Sequence, residues 1–459
     1  MTSPSKTPNL FAPLAEIDAE RPALISEEGL LTHGALRRRV GAVQRWLADQ
    51  PAERPLLLSA TAASDLLPAF IAAGALGRTA AVGDRRWSEA VRARVVAALG
   101  QPLIGESLPA FPTGEAADDP PRFAPNPSRP FYVGFTSGTT GLPKAYARSH
   151  RSWIETMVAG RDGFALDAAD RILVLGPLVH SLALYGALQA LWLGGAAIVD
   201  GMGGWGVDQG ATVVIGVPPL LAALARTGPH SAIRTVLSSG QALDPTTEAV
   251  LRRGFPKAVL VDFYGTSEQS FIAWRAVGEE ATRGTVGRPF AGVEAEIRDA
   301  EGRPVAPGVQ GRLHVKSPMV FDGYLEGLDR GGFSSKDGWS SVGDLGWLGE
   351  DGTLTLAGRE GGMVVVRGVN VFPQEVEAAL KALPGILDAG VVGLPDAGRG
   401  ALLVALVEGE GVVDPAALGA LRPEKRPRRI IGVSALPRTL TGKIDRRALA
   451  ELAAGLIAR

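Results

Sequence analysis

The sequence predicts an α/β protein, with a large N-terminal domain of parallel and mixed sheets covered by helices and a small β-barrel-like subdomain. A small α+β C-terminal domain follows. Three observations lead there. The chain has 459 residues, beyond the size one hydrophobic core usually serves, so two or more domains are expected. Short β-branched runs alternate with helix-like stretches through the first three quarters. The texture then changes twice, near Gly287 and at Gly361-Gly362.

The elements follow in order. Ile172 to Leu175, Ala196 to Val199, Thr212 to Ile215, Thr235 to Leu237 and Ala258 to Val261 are apolar runs too short for most helices. Pro219 to Arg226 and Asp244 to Arg253 between them read as helices, which is the βαβα rhythm of a largely parallel, doubly covered sheet. From Gly287, the strands Val293 to Arg298, Gly311 to Lys316 and Thr353 to Leu356 are separated by Glu301-Gly302 and Asp351-Gly352 turns, which suit an antiparallel sheet or small barrel. After Gly361-Gly362, a strand at Met363 to Arg367 precedes a helix at Pro373 to Leu383, with Pro in its first turn, and strands at Gly390 to Gly393 and Leu402 to Val407. The expected domains are therefore 1–360 and 361–459.

Composition narrows the function classes. Hydrophobic residues make up 46% and charged residues 21%, a globular balance. Lys+Arg of 47 against Asp+Glu of 48 leaves a net charge of −1, so no basic field points to nucleic acid or an anionic membrane. The absence of cysteine excludes disulfides, thiolate metal sites and a cysteine nucleophile. The start lacks an apolar core long enough for a signal peptide, and Ser181 to Val199 reads as a buried helix and strand rather than a membrane span; a cytoplasmic location fits. Five scattered histidines show no zinc-ligand spacing.

Four clusters carry chemistry. In Thr136-Ser137-Gly138-Thr139-Thr140-Gly141-Leu142-Pro143-Lys144, glycines allow main-chain N–H groups to converge on an anion while hydroxyls and a lysine add donors and charge. Its spacing differs from the P-loop, and by itself the run fits a polar turn equally well. Asp262 to Glu268 follows an apolar strand, where ligand loops of parallel sheets sit; Tyr264 could stack on a base and Glu268 offers Mg²⁺ a hard oxygen, although a capped turn fits the same residues. Asp344 lies in a tight turn suited to ribose hydroxyls, and Lys443 on a Gly-containing loop that also reads as a solvated basic tail.

In this order, over nearly the whole chain, the clusters resemble the adenylate-forming superfamily of acyl-CoA synthetases, luciferases and peptide-synthetase adenylation domains, most closely AMP-forming acyl-CoA synthetases. The resemblance implies ATP, Mg²⁺ and CoA as cofactors. Thr136 to Lys144 matches the family's phosphate loop. Gly240, Gln241 and Ala242, with Tyr264, Gly265, Thr266, Ser267 and Glu268, match its adenine and Mg²⁺ segments, and Gly284 to Pro289 its Gly-Arg-Pro strand entry. Asp344 matches the ribose aspartate, Arg359 the arginine before the hinge, Gly368 the loop facing the site during thioester formation, and Lys443 the adenylation lysine. His180 aligns with a residue over the substrate carboxylate, and a core histidine at a helix start is the other reading.

The implied reaction is attack of a carboxylate on the α-phosphate of Mg·ATP, followed by displacement of AMP by a thiol as the C-terminal domain rotates. Gly361 stands where the family usually has Asp or Lys, so the hinge keeps its freedom and loses a side-chain contact. The segment Thr61 to Ser107 is abbreviated relative to the family. Ser181-Leu182-Ala183-Leu184 lacks the carboxylate that pairs an amino-acid ammonium, which points to an apolar or aryl acid. For a second substrate carboxylate, as in o-succinylbenzoate, the nearest cations are Arg148, Arg151 and Arg367. The thiol acceptor is CoA or, alternatively, the phosphopantetheine arm of a separate acyl or peptidyl carrier protein. A catalytically impaired nucleotide-binding regulator is the non-enzyme alternative.

Overall fold

A computed structural model describes residues 9–59, 62–104, 121–123, 130–136, 143–199, 204–278, 284–328, 332–366, 369–396, 400–409, 418–419, 421–438 and 444–457. It is a mixed α/β molecule with a large N-terminal part built on two sheets and a small α+β C-terminal part. Strands Arg171–Val174, Ala196–Val199, Val213–Gly216, Thr235–Ser239 and Val259–Thr266 run parallel in the larger sheet. Because strand side chains alternate faces, each strand feeds two cores. Ile172, Val174, Val213 and Ile215 pack with Leu184 and Leu188 of helix Ser181–Leu193. Leu173, Val214, Val236 and Leu260 pack instead with Leu221 and Leu224 of helix Pro218–Ala225 and Leu251 of helix Pro245–Gly254.

The antiparallel strands expected after Gly287 are joined edge to edge to this sheet through Ser270–Ala276, Thr285–Pro289 and Leu354–Arg359. The second sheet has the order Gly323–Tyr324, Lys144–Ser149, Pro130–Thr136, Ala80–Val82, Leu56–Leu58, Leu103–Ile104. Behind it lies the buried helix Ala63–Ala75, whose Phe70 packs edge to face on Phe131 and Tyr132, and these two rings meet Trp153 edge to face in turn. Each such ring contributes about 1.5–3 kcal/mol by leaving water, so the strand that leads into Thr136 is firmly seated.

In the C-terminal part, strands Ile386–Asp396, Gly400–Gly409 and Arg429–Val433 form one sheet between two helices. Val391, Leu403 and Ala405 face Val376 and Leu380 of helix Pro373–Lys381. The alternate residues Val392, Val404 and Leu406 face Leu449 and Ala453 of helix Arg446–Ile457. The Pro373 helix begins as the sequence predicts, with Glu375 Oε1 accepting from the Phe372 N–H at 3.2 Å.

Candidate active site

The phosphate-loop run spans the open end of an antiparallel pair. Strands Pro130–Thr136 and Lys144–Ser149 are in register with Thr136 opposite Lys144, so these two half-buried residues form the last pair before the turn. Ser137, Gly138, Thr139, Thr140 and Gly141 lie outside the described residues.

The second cluster sits where strand Val259–Thr266 turns back into Ser270–Ala276. A bulge between Tyr264 and Gly265 tightens the turn, and a Cβ on Gly265 would lie 2.1 Å from the Ser270 carbonyl oxygen, so only glycine fits. Thr266 Oγ1 accepts from the Gln269 N–H at 3.1 Å, and Gln269 Nε2 donates to the Ser340 carbonyl and hydroxyl at 3.0 Å each. Glu268, 9% exposed, thereby projects from a fixed turn.

Two groups from the segment 319–324 hold it. The Phe321 N–H donates to the Glu268 carbonyl at 2.8 Å, and the Tyr324 hydroxyl donates to Glu268 Oε1 at 2.5 Å. Arg148 is 3% exposed and donates to the Met319 carbonyl at 2.9 Å, the Ser267 carbonyl at 3.4 Å and Ser152 Oγ at 3.1 Å. Burial pulls its guanidinium down to about 10. Arg148 is thus a structural clamp, and it is not available as a cation for a second substrate carboxylate; Arg151 is exposed and Arg367 lies outside the described residues.

Asp344, 7% exposed, joins the third cluster to the second. The Tyr264 hydroxyl donates to its Oδ2, while Arg359 donates from Nε to Oδ1 at 2.7 Å and from NH2 to Oδ2 at 3.2 Å. Burial, and then the Asp344 charge, push the Tyr264 phenol well above its usual value, so it remains a donor. Oδ2 is filled by two donors, whereas Oδ1 accepts from Arg359 alone among the described residues and keeps a lone pair that can accept a ligand hydroxyl. Gly240, in the left-handed region at φ 83°, ends strand Thr235–Ser239 with Gln241 and Ala242 behind it. Gln241 Oε1 is buried without a hydrogen-bond partner among the described residues.

His180 caps the start of helix Ser181–Leu193 and is half-buried. It lies within electrostatic reach of Asp84, whose carboxyl is held below its usual range by Arg86 first and in small part by His180. The Tyr146 hydroxyl, pushed up by burial, hydrogen-bonds Tyr132, Ser181 and Ser267, and so connects this helix to the Glu268 turn.

Lys443 and Gly368 lie outside the described residues, but the chain on either side of Lys443 is anchored. Arg438 bridges Ile444, and its guanidinium donates to Asp388 Oδ2 at 2.7 Å. The Asp445 N–H donates to the Pro437 carbonyl at 2.9 Å, and Arg446 pairs with the buried Glu377 through NH2 and Oε2 at 2.8 Å. Sequence reasoning did not single out Tyr324, nor the clamping role of Arg148. A tyrosine 56 residues from its carboxylate leaves no local signal.

A carboxylate turn, a phosphate-type hairpin and an aspartate bonded to tyrosine and arginine together define a nucleotide-handling enzyme. The chain belongs to the AMP-binding enzyme family: that family's model matches residues 14–325, and the AMP-binding enzyme C-terminal domain matches 375–443. It is 35% identical to the uncharacterized acyl-CoA ligase YhfT of Bacillus subtilis, over 95% of this chain and 96% of that protein. It is 31% identical to the sulfoacetate-CoA ligase of Cupriavidus necator over 74% of this chain and 70% of that one. Among solved structures, the fold is shared with ATP-bound MatB from Rhodopseudomonas palustris at TM-score 0.84 and 24% identity, covering 97% and 98% of the two chains. The amide bond synthetase McbA from Marinactinospora thermotolerans superposes at TM-score 0.83 with 26% identity, covering 96% and 99%. No described helix is long and apolar enough to cross a membrane.

Proposed function

We propose that the chain is an AMP-forming acyl-CoA synthetase, an acid-thiol ligase that activates an apolar or aryl carboxylic acid with Mg·ATP and passes the acyl group to CoA in the cytoplasm. The observation that carries this is the convergence of groups distant in sequence: Tyr264, Glu268, Asp344 and Arg359 share one electrostatic neighbourhood, and Tyr324 links Glu268 to the strand pair ending at Thr136 and Lys144. Likeness to a named acyl-CoA ligase along 95% of the chain supports it.

In this reading Thr136 to Lys144 holds the β- and γ-phosphates, Asp344 accepts from the ribose, Tyr264 stacks on adenine and His180 borders the acyl carboxylate. Gly240, Gln241 and Ala242 border the adenine. Glu268 suits Mg²⁺, because its Oε2 has no hydrogen-bond partner among the described residues while Oε1 is held, and Mg²⁺ commonly takes one or two carboxylates plus substrate phosphates. Bound there, the ion would offset charge on the phosphates. Lys443 stabilises the charge that builds between carboxylate and α-phosphate, and loss of one such group typically costs about 100- to 1,000-fold. Residues 1–360 form the ATP and acyl domain and 361–459 a mobile domain that brings Lys443 for the first step and the Gly368 loop for the second.

Pyrophosphate exchange with a panel of carboxylic acids, wild type beside Lys443→Ala, tests the reading. The wild type should exchange with at least one apolar or aryl acid, and the variant should lose about 100-fold or more. No exchange with any acid sinks the enzyme assignment. Exchange without thioester formation on adding CoA would make a carrier-protein arm the acceptor.

A further inference from the structure

We infer that Tyr324 is a positioning residue for the divalent cation, acting through Glu268. This rests on the reading of Glu268 as the metal ligand, and it assigns work to a side chain that sequence reasoning did not single out. The Tyr324 hydroxyl lies 2.5 Å from Glu268 Oε1, a short charge-assisted bond that fixes the carboxylate rotamer and occupies one oxygen. Among the described residues Glu268 Oε2 has no hydrogen-bond partner, so this oxygen would be the one offered to a cation.

The tyrosine is itself fixed. Its strand Gly323–Tyr324 pairs with Lys144–Ser149, Tyr324 opposite Tyr146, so the hydroxyl is carried by the neighbour of the strand that begins at Lys144. Its ring packs edge-on against Phe321, with centroids 5.0 Å apart, and against Phe333 at 6.5 Å. Phe321 and Phe333 in turn pack at 4.6 Å, and Phe321 also holds the Glu268 carbonyl through its N–H. Backbone and side chain of Glu268 are therefore held from one four-residue segment, itself tied by Arg148 to the Ser267 carbonyl.

This couples the two sheets at the point where the reaction needs them in register. The phosphate-type hairpin belongs to the six-stranded sheet and Glu268 to the larger one. A divalent cation held by Glu268 would sit where the two sheets meet, and the Tyr324–Glu268 bond ties its carboxylate to the sheet that carries the hairpin. Partners of this kind, bonded to a metal ligand, typically cost 10- to 100-fold in affinity when removed.

The test titrates Mn²⁺ into protein with saturating α,β-methylene ATP, counting free Mn²⁺ by its paramagnetic resonance signal, for wild type, Tyr324→Phe, Glu268→Ala and Glu268→Asp with and without Tyr324→Phe. Phenylalanine keeps the ring contacts, so the fold is expected to hold. Tyr324→Phe should weaken Mn²⁺ binding about ten-fold, and raised Mg²⁺ should restore pyrophosphate exchange. Glu268→Asp withdraws the carboxylate from the hydroxyl, so adding Tyr324→Phe to it should cost little more. Wild-type Mn²⁺ affinity in Tyr324→Phe with a loss in Glu268→Ala overturns the tyrosine's role, as do additive losses in the double variant. Unchanged affinity in Glu268→Ala overturns the metal reading of Glu268 itself.

Discussion

His150, 1% exposed, is held in one tautomer by two main-chain groups: the Leu10 N–H donates to Nδ1 at 3.2 Å, and Nε2 donates to the Gly74 carbonyl at 3.0 Å. A proton on Nδ1 would point at the Leu10 N–H. Burial accordingly depresses the ring to about 4 from an ordinary 6.5, with the Gly74 bond opposing in part. A depressed histidine contributes stability that is full above the unfolded value and is lost as pH falls through 6.5 toward 4. His150→Phe keeps the stack on Phe131, 4.5 Å between centroids, and orphans the Leu10 N–H, while the Gly74 carbonyl still accepts from the Gly77 N–H at 3.0 Å. It should therefore lose about 1–3 kcal/mol at pH 7. Thermal melts at several pH values should show the gap to wild type closing between pH 7 and pH 4; a constant gap would mean the ring does not titrate with unfolding. Neither partner is legible in the sequence, because Leu10 lies 140 residues away.

At the scale of an element, the strand Pro130–Thr136 shows how the hairpin ending at Thr136 and Lys144 is braced from behind. Gly134 pairs with Tyr146, and a Cβ there would lie 2.2 Å from the Tyr146 hydroxyl and 2.4 Å from that of Tyr132. Those hydroxyls bond each other at 3.1 Å, and Tyr146 reaches Ser181 and Ser267 besides. Gly134→Ala should overpack this site and cost about 1–3 kcal/mol, read as a lower melting temperature. It should also weaken ATP binding more than a surface control of equal stability loss, since the displaced hydroxyl supports the Glu268 turn. Equal loss in both would confine Gly134 to packing. The strand itself was legible as the apolar run Phe131 to Phe135. The reason for its glycine was not, because that reason is a side chain on the neighbouring strand.

At the scale of the whole molecule, the large and small parts meet in polar contact through Lys381 among the described residues. Lys381 Nζ sits 3.7 Å from Asp244 Oδ2 of the large part and 3.7 Å from Asp388 Oδ1 of its own. Just before the Gly361-Gly362 pair, Glu360 is held from the large part, its carboxylate accepting from Arg312 at 2.8 and 2.9 Å and its N–H donating to the Gly343 carbonyl at 2.8 Å. The proposed hinge residue Gly361 thus directly follows a residue anchored to the large part. Gly361→Pro fixes φ there. It should leave pyrophosphate exchange near wild type while slowing thioester formation roughly ten-fold or more. Equal effects on both steps would show that rotation at Gly361 is not required.

The sequence by itself determined the elements and the chemistry they carry. Alternating apolar runs specified strands Ala196–Val199 and Gly311–Lys316 to the residue, and a helix start at Pro373. Ordered motifs pointed to Glu268, Asp344 and Arg359 through their resemblance to the adenylate-forming family. Only the tertiary structure decided what those groups touch. Tyr264 meets Asp344 across 80 residues, Tyr324 holds Glu268 across 56, and Arg148, which in sequence could have been a substrate cation, is buried as a clamp. Periodicity is a local property of the chain, whereas hydrogen-bond partners across sheets depend on how strands are ordered and registered in space.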